Sequence, residues 1–376
     1  MSFATPAAAA EASGGSRAQR RRWRIPLMAL GVLSLAEALW GGLLRLGWEL
    51  PSWPPSLAAY HGPLMVSGFL GTVIGLERAV ALGEPWAYAA PLCAGLGALA
   101  LLTGAPQLLG IGLMTLAGGG LLLILVRILR RQPALFTAVM TLGATAWLVG
   151  QVLWLAGWPI YHVVYWWAGF LVLTIAGERL ELARLGQPTK GSRVAFTVCL
   201  LMLLGGLILS AIVLDPGVRV LGAGLLALAL WLASHDIARR TVRQTGLTRF
   251  IACCLLSGYV WLAASGVLAM ADGGVAAGPR YDAMLHALFV GFVLAMIFGH
   301  APIIIPAVIG WRVTYRPAFY AHLALLHATL ALRIGGDLAG SVTARRWGGL
   351  LNVASLMVFA ANTAFGVLRS GSRPRP

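Results

Sequence analysis

Three histidines, His61, His162 and His286, each stand near the start of a long apolar run, and each is followed by a Gly-Phe pair: Gly68-Phe69, Gly169-Phe170 and Gly291-Phe292. Imidazole is costly in hydrocarbon unless it bonds something, so intramembrane histidines face a partner, a cavity or a ligand. Two imidazoles on facing helices can take both axial positions of a haem iron, and three at one depth can hold copper. The alternative for each is an interfacial histidine satisfied by water or a neighbouring carbonyl. What favours a shared site is that the positions are copies. Sliding the chain on itself by 101 residues aligns Tyr60-His61 with Tyr161-His162 and Glu77-Arg78 with Glu178-Arg179, with eight identities in nineteen positions. A looser third copy carries His286 two residues nearer its glycine, and His300 where the first copy has Glu77.

The elements that must position these residues are membrane helices. The 376 residues are 59% apolar and 11% charged, with a formal charge of +16 and a mean hydropathy of +0.83. That balance excludes a soluble catalytic module, a nucleic-acid-binding domain and a disulfide-stapled ectodomain. At about 20 apolar residues per span, the breakers divide the chain into twelve runs. The expected fold is an all-α polytopic membrane protein with twelve transmembrane helices. Residues 1–24 are expected to form a disordered cytoplasmic tail, 25–369 one transmembrane domain and 370–376 a second cytoplasmic tail. The three copies fall in runs 2, 6 and 10, which predicts three pseudo-repeated arcs of four helices. A transporter of two six-helix halves would match run 1 to run 7 instead, and no such match is present.

Placing the N-terminus inside puts 22 of the 28 basic residues on the cytoplasmic side and 6 outside, the bias expected of an inner-membrane protein with both termini cytoplasmic. All three histidines then lie in the outer part of the bilayer. Arg345-Arg346 in the last loop falls on the same side, where paired guanidiniums suit the two propionates of a haem or the phosphates of lipid. Glu77 and Glu178 lie sixteen residues past their histidines, about 24 Å along a helix, and are expected in ion pairs near the opposite membrane surface. Two further ionisable groups fall inside apolar runs: Glu37 in the first, and His300 about 21 Å beyond His286. His322 and His327 are five apart, about 140° around a helix, and make no chelating pair. The four cysteines all fall in apolar runs, as packing residues.

The segment His61-Gly-Pro-Leu-Met65-Val-Ser-Gly68-Phe69 resembles the HAHEMxxGF pattern of the NnrS family of bacterial membrane proteins, and His286-Ala-Leu-Phe-Val-Gly291 is similar to that family's HALxVG segment. More distantly the chain resembles subunit I of the haem-copper oxidases, which have twelve helices in three arcs and haem-ligating histidines on helices 2 and 10. The resemblance implies a haem-binding, and in addition copper-binding, inner-membrane protein acting in nitric oxide metabolism or the nitrosative-stress response. It implies His61 and His286 as axial ligands, with His162 as a third ligand or substrate-site residue. Pro63 and Leu64 stand where the NnrS pattern has a second His and a Glu, which counts against a copper site there; the oxidases' histidine pair on helix 10 and their helix 7 histidines are also missing, so proton-pumping oxygen reduction is not expected. The competing reading is a transporter or permease of a small solute or metal ion with Glu37 and His300 on its path. The sequence leaves open whether His61 faces His286 or His162, because the two-residue offset turns His286 by about 200° from a perfect repeat.

Overall fold

The protein is an all-α polytopic membrane protein. The computed structural model describes residues 6–183 and 189–371, and every regular element among them is helical. The long helices are α1 (Pro6–Arg45), α2 (Leu57–Leu82), α3 (Pro85–Leu102), α4 (Gln107–Arg131), α5 (Leu135–Leu155), α6 (Ile160–Ala183), α7 (Lys190–Ile212), α8 (Leu214–His235), α9 (Gly246–Asp272), α10 (Pro279–Ile309), α11 (Phe319–Ala339) and α12 (Val342–Gly371). A one-turn helix, Ala238–Thr241, links α8 to α9. α1 begins at Pro6, within the segment expected as a tail. Its alanine-rich stretch has the highest intrinsic helix propensity of any residue type, and composition read as low complexity hides that. Residues 1–5 and 372–376, which include most of the second expected tail, lie outside the described residues.

Eleven of these helices are long and apolar enough to cross a bilayer. The exception is α11, where His322, His327, Arg333 and Asp337 dilute an otherwise apolar run of 21 residues. It nevertheless runs antiparallel along the whole of α12. Gly340, in the left-handed region at φ 70°, turns the chain and caps α11 by donating to the Gly336 carbonyl. Asn352 then meets Thr329 at 2.7 Å, Ser355 donates to the His322 carbonyl at 2.9 Å, and Asn362 donates to the Ala318 carbonyl at 3.1 Å. α11 is thus tied to α12, while His327 bonds Trp261 and Ser257 of α9 and Arg333 bonds Asp282 of α10, and these partners admit so polar a helix to the bundle.

Each helix packs on the next in sequence, and α2, α6 and α10 also meet one another at the centre. These three are the most enclosed spans, 61, 72 and 61% buried over their apolar windows, against at most 56% for any other. The four-helix spacing of the sequence copies is therefore the spacing of the inner helices. Close approach elsewhere depends on small residues. At Gly206 a Cβ would lie 2.4 Å from the backbone nitrogen of Leu221, which cannot give way. Gly206→Ala is expected to destabilise the α7–α8 pair by about 1–3 kcal/mol, read as a lowered unfolding midpoint in detergent.

One local departure from α-helix positions the site. α2 carries a π-helical stretch at Leu64–Leu70 and α10 another at Ala287–Leu294, each beginning within three residues of its histidine. Such widened turns shift the phase of everything before them relative to everything after. α6, the second copy, is α-helical throughout Ile160–Ala183.

Candidate functional site

A cavity of about 420 Å3 opens between α1, α2, α6, α10, α11 and α12, and both His61 and His286 line it. Their rings are nearly parallel, 12° apart, with centroids separated by 6.3 Å. His61 Nδ1 lies 2.6 Å from the Ala38 carbonyl of α1, and His286 Nδ1 lies 2.8 Å from the Asp282 carbonyl one turn earlier on its own helix. A carbonyl only accepts, so both Nδ1 atoms carry the proton and both Nε2 atoms keep a lone pair. Neither Nε2 has a hydrogen-bond partner among the described residues. Two unprotonated nitrogens are thus held in fixed tautomers beside the cavity, each ring's N–H fixed by a backbone carbonyl as in metal-ligating imidazoles.

The polar end of the cavity is strongly cationic. Arg45, Arg333 and Arg345 all line it. Arg333 donates from Nε and Nη2 to Asp282 Oδ2 at 3.1 and 2.8 Å, and Asp282 Oδ1 lies 3.2 Å from His286 Nδ1. Arg345 Nε is 3.4 Å from Asp337, while Arg45 has no ion-pair partner among the described residues. Three guanidiniums against two carboxylates leave one positive charge in excess beside a mostly apolar chamber, whose far end is lined by Leu70, Leu294 and Leu356.

Other residues singled out from the sequence lie elsewhere. His162 is corrected as a partner of the other two histidines: its ring sits between Trp158 and Tyr161, with centroids at 5.4 and 4.7 Å, and it does not line the cavity. Without a π-helical stretch, α6 holds its histidine in a different phase from those of α2 and α10. Among the described residues, no group of three or more His, Cys, Asp or Glu side chains is placed to hold a metal ion. The arginine pair splits. Arg345 faces the cavity, whereas Arg346 donates to the Gly47 carbonyl at 2.9 Å and lies 4.7 Å from the Trp48 ring. Glu37 is half-buried on α1, away from the cavity.

His300 belongs to a second polar cluster at the opposite end of the inner helices. Its Nε2 lies 3.3 Å from Arg179 Nη2, and Arg179 lies 4.0 Å from Asp236, which Tyr259 bonds at 2.7 Å. Arg78 reaches Glu178 across the α2–α6 contact as well as its neighbour Glu77 at 3.4 Å. The repeated Glu-Arg pairs therefore lace the two copies together. Arg78→Ala is expected to lower stability by on the order of 2 kcal/mol, less than for a fully buried pair because both carboxylates keep some solvent access. A double-mutant cycle with Glu178→Gln should recover part of that loss.

Residues 24–368, which include every element of the cavity and of the polar cluster, match the family described as Domain of unknown function (DUF8744). The chain belongs to the DUF8744 family. No curated protein matches it. Three components of this DUF8744 cavity escape a reading of the sequence. The π-helical stretches that follow His61 and His286 have no residue signature. Arg333 looks like one more interfacial cation until Asp282 of α10 appears as its partner. Arg45 belongs to the cavity only because α1 ends there.

Proposed function

We propose that this protein binds one haem between α2 and α10, with His61 and His286 as the two axial ligands, in the inner membrane of a bacterium. The observation that carries the reading is the separation of the two rings. Two imidazoles sharing one metal from opposite sides, each with a bond of about 2.0 Å and a ring centre about 1.1 Å behind the nitrogen, place their centroids about 6 Å apart. The distance here is 6.3 Å. Haem brings four nitrogens of its own, so two histidines suffice where no three-residue metal group exists. The excess positive charge at one end and the leucines at the other match an amphipathic disc with two carboxylates at one edge. Arg45 and Arg345 would hold those propionates, and Met65 and Phe289 lie along the apolar walls.

A haem in this setting supplies one-electron chemistry and a position for a diatomic gas. The resemblance to the NnrS family supports nitric oxide as that gas, within nitric oxide metabolism or the response to nitrosative stress. The positive-inside bias supports cytoplasmic termini, with the His61–His286 end facing outward. Glu37 and His300, which a solute path would have used, do not line the cavity of the histidine pair. Copper is not part of the proposal. The test is the haem content of full-length protein purified from haem-replete cells: about one haem per chain is expected of a single bis-histidine site, and haem-free protein would overturn the reading.

A further inference from the structure

The two histidines are held by unequal means, and this inference rests on the haem reading above. His61 Nδ1 has one acceptor, the neutral backbone carbonyl of Ala38. His286 Nδ1 has two, the Asp282 carbonyl at 2.8 Å and the Asp282 carboxylate at 3.2 Å, and that carboxylate is itself locked by two bonds from Arg333. A carboxylate behind an imidazole raises the basicity of its far nitrogen and fixes the ring. The surroundings differ in the same sense. His61 lies in a seven-residue segment, Leu57–Pro63, whose Pro63 has no N–H to give the carbonyl four residues back. A Cβ at Gly62 would meet nothing within 4 Å, so space lies beside His61. On the other side, His286 is flanked by Leu285, Phe289 and Val290.

We propose that His286 is the permanent ligand and His61 the displaceable one, so that a small gaseous ligand such as nitric oxide reaches the haem on the His61 face. The chain thereby has an asymmetric site: Asp282 and Arg333 are positioning residues that act through His286, and Gly42 sets the seating of His61. A Cβ at Gly42 would lie 2.9 Å from His61 Cε1, so Gly42→Ala pushes on that ring alone.

The probe is carbon monoxide added to the dithionite-reduced full-length protein. His61→Gly is expected to keep its haem, lose the low-spin spectrum and bind carbon monoxide at least about tenfold faster than the parent, while His286→Gly loses about nine-tenths of its haem. Gly42→Ala, which preserves both ligands, is expected to raise the association rate in the same direction. Asp282→Asn in the His61→Gly background is expected to lower the iron–histidine stretching frequency, a change that a merely structural role for Asp282 does not produce. Haem retained in His286→Gly but lost from His61→Gly, or an unchanged association rate in Gly42→Ala, overturns the asymmetry while the haem reading stands. Haem-free parent protein overturns both.

Discussion

Arg333→Ala is expected to destabilise the protein by about 3–5 kcal/mol, the loss characteristic of removing one partner from a buried ion pair. Arg333 is only 8% exposed and supplies two of the bonds to Asp282. α12 presses closely on this turn, a Cβ at Gly348 lying 2.6 Å from the Arg333 backbone nitrogen. The truncation would leave Asp282 without its guanidinium, near Asp337, whose own carboxylate oxygens are buried without a hydrogen bond among the described residues. Arg333→Lys keeps the charge but not the fork, and should recover only part of the loss. Thermal unfolding of the three proteins in one detergent orders them parent, Lys, Ala. Equal midpoints for parent and Ala would show that the cluster does not hold the α10–α11–α12 contact.

His286→Ala is expected to have the largest effect on cofactor content, reducing haem to about a tenth of the parental ratio or less. The reason lies in what remains. His61 is then the sole imidazole on the cavity, tethered to one neutral carbonyl on a segment broken by Pro63. Asp282 and Arg333 persist, so the fold of the outer end survives, and lost haem with an unchanged unfolding midpoint separates ligation from folding. The check is a haem-to-protein ratio on the purified variant. A normal ratio would mean that the haem is held without His286.

Much of this architecture could be read without coordinates, and for identifiable reasons. Intramembrane charge is expensive, so His61, Glu77 and Arg78 stand out against their apolar neighbours, and their recurrence at a spacing of 101 residues picked out α2 and α6 as related helices. α10 was harder. Its copy is shifted by two residues, yet the His286 ring centroid lies 6.3 Å from that of His61, each histidine being followed by a π-helical stretch. On α11, Arg333, Asp337 and His327 look like liabilities until Asp282, Arg345 and Trp261 appear as their partners. Partners distant in sequence are invisible in any single segment, and that is why the Asp282–Arg333 cluster emerged only from the fold. His162 illustrates the limit of the repeat, since an identical residue at an identical register turned away once its helix lacked the widened turn.

The central claim is that His61 and His286 ligate one iron, and the most direct measurement is an optical and electron paramagnetic resonance spectrum of the oxidised, then dithionite-reduced protein. The account predicts a low-spin ferric haem with sharp, split visible bands on reduction, and loss of that low-spin signature in His61→Ala and in His286→Ala alike. A low-spin haem that persists unchanged in both variants, or a colourless protein from haem-replete cells, would contradict it.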